Sequence, residues 1–259
     1  MVKPDYKIRS NFEIIEINYP VEEKEKTLYF IGDLHVGSAE FNLTKWKKTK
    51  AMIKGNPVCL CGDLMDNATK TSKSNTYNQT MSPQDQVAWL ESELYDLKDD
   101  IVCMVDGNHE RRTAKDTDSN RLFEVSKTLG IPHLYRRGMA IVKLGVGLKH
   151  NQKQVKYIGC VMHKTNKTLR YHFADSIDGI DFYVSAHTHM PSDMPKAKLK
   201  VDPYNNKVTK IPYETFVISS MMDYDGYAVD EAYRVPSEKM WKLHLCGTEK
   251  KMESVGYYL

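Results

Sequence analysis

The chain predicts an α/β fold whose first half alternates strand and helix and whose second half is mostly strand. Three observations carry this. Three short apolar runs, Leu28 to Ile31, Val58 to Cys61 and Ile101 to Val105, are separated by segments with helical spacing. After Pro132 strand-like runs follow one another with little helix between them. Each run of the first half ends at a glycine followed by side chains able to ligate a metal: Gly32-Asp33-Leu34-His35, Gly62-Asp63-Leu64-Met65-Asp66 and Gly107-Asn108-His109-Glu110.

Taken in order, residues 1–27 read as an N-terminal extension with one strand around Phe12 to Ile17. After the strand Leu28 to Ile31, Phe41 to Lys54 predicts a helix capped by Asn42 or Thr44, with a basic outer face at Lys45, Lys47, Lys48, Lys50 and Lys54. Gly55-Asn56-Pro57 breaks it before the second strand. Residues 67–82 are polar and aperiodic, and a loop of that length inside a compact chain reads as a substrate loop. Ser82 then caps a helix with Pro83 at its first position, running to about Leu97 with Val87, Leu90, Leu94 and Leu97 on one stripe. The third strand follows, and then a helix from about Ser119 to Leu129, stopped by Gly130 and Pro132. This order implies parallel strands with short crossovers. Beyond it, Ala140 to Leu144, Val155 to Met162, Phe182 to Ser185, Ala197 to Val201 and Tyr213 to Ser219 are strand-like, with a hairpin turn at Asn205-Asn206. The aromatic-rich tail from Gly226 to Leu259 also reads as β. With no linker or repeat, residues 1–259 are one domain with two halves.

Composition narrows the class. Apolar residues make up 41% and charged ones 27%, and no apolar run reaches the ~20 residues of a membrane span. No signal-peptide core precedes residue 27, so a soluble cytoplasmic protein is expected. The five cysteines are odd in number and four sit in apolar runs, which points to buried free thiols rather than disulfides or a zinc site. Net charge is +3 but unevenly spread: Asp85 to Glu124 holds eleven acidic residues, whereas Val125 to Ala174 holds none against ten Lys and Arg. That stretch is either a positive field for a polyanion or a solvated face with acidic neighbours folded close by.

In α/β sheets ligands bind beyond the carboxyl ends of the strands, so the three glycine-led clusters should converge in one crevice. The second half adds Met162-His163 after one strand and Ser185-Ala186-His187-Thr188-His189 after another. The ordered set DxH, GDxxD, GNHE, H and AHTH, spanning residues 33 to 189, resembles the calcineurin-like metallophosphoesterase superfamily. That resemblance implies a four-layer αββα sandwich, two central sheets flanked by helices, with a dinuclear metal site at the strand C-terminal ends. It implies that Asp33, His35, Asp63 and His189 hold one ion and that Asp63, Asn108, His163 and His187 hold the other, Asp63 bridging. His163 is preferred over His150 and His172 because it ends a strand-like run. A carboxylate, amide and imidazole set suits Mn²⁺ first, with Fe, Zn²⁺ and Ni²⁺ as alternatives. His109 is then the acid for the leaving oxygen, and Asp66 orients its ring. Glu110 is read as part of the site. His133 and His244 are read as ordinary residues, and Asp225 as a turn residue.

For the substrate, GDxxD continues in the Ser/Thr protein phosphatases with Arg-Gly, where this chain has Asn67-Ala68. The missing arginine would clamp a phosphomonoester dianion. Arg111 and Arg112 are the candidate substrate-binding substitutes. The opening DLHVGSAEF is similar to the nuclease branch, notably the small exonuclease subunit of archaeal D-family DNA polymerases. Tyr77, Trp46 and the tail tyrosines are candidates for base stacking. The expected activity is a metal-dependent phosphodiesterase on nucleic acid or nucleotides, using two metals and a bridging hydroxide nucleophile. A phosphomonoesterase, protein phosphatases included, and a non-catalytic binding subunit are the alternatives, and a homodimer is one expected assembly.

Overall fold

The computed structural model describes residues 7–70, 72, 76–163 and 176–259. A short strand β1 (Ile15–Asn18) leads into β2 (Glu25–Ile31), the first strand that carries site residues. Helix α1 (Leu43–Ile53) starts where the Asn42 side chain accepts the Lys45 N–H at 2.8 Å, and returns the chain to β3 (Val58–Leu60). Helix α2 (Pro83–Tyr95) starts at the Ser82 cap and leads to β4 (Ile101–Val105). Two helices follow, α3 (Glu110–Thr117) and α4 (Arg121–Thr128), before the two-residue β5 (Tyr135–Arg136). β2, β3, β4 and β5 pair in that order, all parallel. Right-handed crossovers between strands stepping one way across a sheet place α1 to α4 on a single face. The stripe Val87, Leu90, Leu94 and Leu97 is buried as its spacing predicts.

The other face meets a second sheet. It is built from β1, β6 (Met139–Val146), β7 (Val155–Met162), β8 (Phe182–Ser185), β10 (Lys196–Asp202) and β11 (Lys207–Val217), with β9 (Ser192–Asp193) on β11. β7, β8 and β11 run parallel to one another. The Phe30 ring of β2 lies 6.0 Å from that of Phe182 and 5.7 Å from that of Phe216. After a one-turn helix α5 (Tyr227–Asp230), β12 (Met240–Cys246) and β13 (Met252–Tyr257) return to the first sheet, β12 antiparallel to β2. The fold is thus two packed sheets with helices, the α/β sandwich expected. No helix among the described residues is long and apolar enough to cross a membrane.

Several local expectations are corrected. Lys45 is not on the outer face of α1: it is buried, and its ammonium donates to the Ser220 carbonyl at 3.0 Å. Helix α3 is not legible in the sequence as a separate element, because Gly107-Asn108-His109 reads as a loop into one later helix. β11 begins six residues before Tyr213, because it forms one side of the Asn205-Asn206 hairpin. The first strand is Ile15–Asn18, three residues later than Phe12 at its start, and it pairs parallel with β6. His172, residues 164–174 of the basic stretch, and residues 71 and 73–75 of the polar loop lie outside the described residues.

Candidate metal centre

All seven predicted ligands lie just past the C-terminal ends of β2, β3, β4, β7 and β8, where both sheets present parallel strands to the same edge. Their backbone is unusual. Asp33, His35, Asp63, His187 and His189 have φ of 48°, 52°, 48°, 80° and 53°. Such left-handed conformations cost on the order of 1–3 kcal/mol each unless surrounding contacts hold them. The loops after β2 and β3 hold one another: Asp33 N donates to Gly62 O at 2.9 Å, His35 N to Asp63 O at 3.0 Å and Asp66 N to Val36 O at 2.9 Å. Glycine is required where these loops cross. A Cβ on Gly107 would sit 2.0 Å from Asp63 Oδ1, and one on Gly62 would sit 2.7 Å from Gly107 N.

The buried carboxylate of Glu110, at the start of α3, completes this scaffold. It accepts the backbone N–H of Asp63 at 3.0 Å, Leu64 at 2.7 Å, Met65 at 3.1 Å and Gly107 at 2.8 Å. Burial, with Asp63 nearby, pushes its pKa up to about 7. Glu110 therefore shapes the two ligand loops rather than facing the ligand atoms, a role that no spacing in the sequence signals.

The ligand atoms form two groups. In the first, His35 Nε2 and His189 Nε2 face each other at 3.3 Å and lie 3.9 Å and 3.4 Å from Asp33 Oδ1. That carboxylate oxygen is buried and has no hydrogen-bond donor, while Asp33 Oδ2 accepts His187 N at 2.9 Å. In the second group, His163 Nε2 lies 3.0 Å from Asp63 Oδ2 and 3.1 Å from Asn108 Oδ1, and His187 shares the cluster. The Cys61 carbonyl accepts from His163 Nδ1 at 2.9 Å, which turns Nε2 inward. Burial lowers the His163 pKa, but Asp63 outweighs it and carries the pKa up to about 9. Converging oxygen and nitrogen lone pairs, one oxygen with no donor, fit divalent cations well.

His109 sits between the groups, its ring 4.4 Å from that of His35. Its Nδ1 is 2.8 Å from Asp66 O and 3.0 Å from Asp66 Oδ1, and its Nε2 is 3.8 Å from Asp63 Oδ2. Burial opposes its protonation, yet Asp63 and Asp66 prevail and its pKa is raised. The tandem arginines diverge. Arg111 Nε donates to Gly107 O at 2.9 Å, whereas the Arg112 guanidinium lies 3.0 Å from both Asp66 O and His109 Nε2. Asn67 is buried at a φ of 47°, its amide donating to His109 O at 2.8 Å and Thr113 Oγ1 at 2.6 Å. From the polar loop, Gln79 Nε2 reaches Asp66 Oδ2 at 2.5 Å.

Other candidates lie elsewhere. His150 is exposed at the opposite end of the β6–β7 hairpin from His163, and His244 bonds Thr27 at 2.8 Å. Asp225 caps the Gly226 N–H as a turn residue. Trp46 is fully buried with its Nε1 on Glu93 at 2.8 Å, which removes it as a base-stacking platform, while Tyr77 is 95% exposed. Much of the described basic stretch is already engaged: Lys143 and Lys156 hold the Glu16 carboxyl down to about 2, and Arg136 is buried against backbone carbonyls. The five cysteines are free, four of them buried.

A family model described as calcineurin-like phosphoesterase matches residues 26–191. No curated protein matches the chain. Among solved structures, the phosphoesterase YfcE from E. coli matches at 14% identity and a TM-score of 0.41, covering 88% of this chain and 98% of that one. YfkN, a calcineurin-like phosphoesterase from Bacillus subtilis, matches at 10% identity and a TM-score of 0.40, covering 91% and 90%. A metallophosphoesterase from Sphaerobacter thermophilus matches at 9% identity and a TM-score of 0.43, covering 90% and 89%.

Proposed function

We propose that this chain, which belongs to the calcineurin-like phosphoesterase family, hydrolyses phosphodiester bonds of nucleic acid or nucleotides. Metal-dependent phosphoester hydrolysis is the chemistry of the family; the diester preference is our reading. The observation that carries it is Asn67. At the position where a dianion-clamping arginine would follow GDxxD, the side chain is short, buried and committed to His109 O and Thr113.

Asp33, His35 and His189 would hold one cation, and Asn108, His163 and His187 the other, with Asp63 shared; Mn²⁺ suits the set, and Fe, Zn²⁺ and Ni²⁺ are alternatives. Such a pair supplies Lewis acidity toward phosphate oxygens and an acidified water. The protein's own part is positional. Asp66 accepts from His109 Nδ1, which aims Nε2 at the centre; Nε2 meets the Arg112 guanidinium at 3.0 Å, so it would carry a proton for the leaving oxygen when substrate draws that guanidinium away. Glu110 keeps the loops of Asp63 and Asn108 in register. The loop 67–82 would meet substrate, a reading supported by Gln79, which bonds Asp66. Purified protein with Mn²⁺ should hydrolyse bis-p-nitrophenyl phosphate and single-stranded DNA. Rapid hydrolysis of p-nitrophenyl phosphate with both diesters left intact would overturn the reading. That outcome would support a phosphomonoesterase, the second reading, which the inward guanidinium of Arg112 favours as a replacement clamp. Arg111, turned onto Gly107 O, would act on substrate only at longer range.

A further inference from the structure

We propose that two copies of this chain pair about a twofold axis, the β10–β11 hairpin of each docking on the acidic segment 223–238 of the other. The hairpin is an arm. β8 pairs with β11 only over Glu214 to Val217, so Lys207 to Tyr213 have β10 as their strand partner. Alternation along the ribbon divides its faces. One face carries Lys200 and Lys207 with Asp202 beside them, and the other sets Lys210 beside Leu199, Val201 and Val208, which are 75%, 66% and 58% exposed, so the apolar face is itself basic. A two-stranded ribbon is marginal in water, and an apolar stripe on it is a surface that binds. Residues 196–212 also hold five lysines against one aspartate.

Segment 223–238 is the complement. It holds five acidic residues against one arginine, and Val229 and Val235 are 50% and 68% exposed within it. Basic-apolar and acidic-apolar surfaces of matching charge fit one another. One chain cannot satisfy itself. β11 runs from the hairpin toward the metal centre, and its ten steps from Lys207 to Val217 cover about 33 Å at ~3.3 Å per residue. The segment begins beyond that far end, where Asp223 N donates to Glu40 O at 2.8 Å and Met221 N to Asp33 O at 3.0 Å. The arm therefore points away from its own acceptor. Because each copy has one arm and one acceptor, a twofold pair closes both contacts and leaves no open end. Each arm then lies beside the catalytic edge of the other copy and adds positive charge there.

Sedimentation equilibrium of the full chain tests this. Wild type should be a dimer at low salt, weakening as salt rises. Lys200→Glu/Lys207→Glu/Lys210→Glu, at exposed arm positions, should raise the dimer dissociation constant at least tenfold with an unchanged circular dichroism spectrum. Asp230→Lys/Glu231→Lys should do the same, and an equimolar mixture of the two variants should recover the dimer. Leu199→Ser/Val201→Ser/Val208→Ser should weaken it with no change in charge. A monomeric wild type, a dimer that survives the arm substitutions, or failure of the mixture to recover would overturn the proposal. So would a monomer whose arm lysines serve instead to bind single-stranded DNA.

Discussion

The two sheets bring different chemistry to the metal centre. The strand ends of the first sheet supply the predicted ligands Asp33, Asp63 and Asn108, the acid candidate His109, and one predicted ligand histidine, His35. Those of the second supply imidazoles alone: His163, His187 and His189. The first sheet's ligands sit on loops that zip to one another and to Glu110, so they hold their shape locally. The second sheet's ligands are held mainly across the gap, His163 by the Cys61 carbonyl and His187 by Asp33. The site is therefore a property of the packed pair of sheets, with carboxylates from one side and imidazoles facing them from the other.

Removing the charge at the centre should have the largest effect. Asp63→Ala should lower phosphoester hydrolysis on the order of 10⁴-fold, about 5 kcal/mol of barrier, and reduce bound metal by elemental analysis. His109→Ala should cost ~10²–10⁴-fold while metal content stays at the wild-type level, which separates the acid from the ligands. The pH profile gives the sign. Asp63 and Asp66 raise the His109 pKa in the metal-free chain, so an NMR titration of the dialysed protein should find it protonated beyond its ordinary range, and in the loaded enzyme the rate should fall as pH climbs through the pKa of His109. The variant should lack this alkaline limb. Phe30→Ala attacks the join between the sheets without touching a ligand. It should lower stability in urea by about 3–5 kcal/mol, and the metal affinity of the folded fraction should fall with it. The smallest effect bears on substrate. Arg112→Ala should change the monoester-to-diester rate ratio roughly tenfold, and a loss confined to monoesters would favour the second reading.

The asymmetry between the sheets also explains which ligands are legible in the sequence. Predicted ligands of the first sheet follow glycines that end apolar runs, because a Cβ on Gly62 or Gly107 would meet the neighbouring loop at 2.7 or 2.0 Å, and one on Gly32 would meet Ile218 at 2.9 Å. That steric demand leaves a visible mark. His163 carries no such mark: only the end of a strand-like run favours it over His150, and it is the fold that sets His150 at the far end of the hairpin. Glu110 is legible as a site residue but not as an acceptor of four backbone N–H groups, since those donors come from two loops more than 40 residues apart in the chain. Lys45 misleads because helical spacing marks a face but not what covers it; here Ser220, 175 residues on, does. The arm is legible only as two strands and a turn, because exposure on both faces depends on where β8 stops.

The most direct test of a centre shared by two sheets is the number of ions bound by wild type, Asp33→Ala and His163→Ala, measured by titration with Mn²⁺ and elemental analysis of the dialysed proteins. Two ions in wild type, with one lost or greatly weakened in each variant, is the predicted result. A single ion in wild type, or two ions retained at full affinity in His163→Ala, would contradict it.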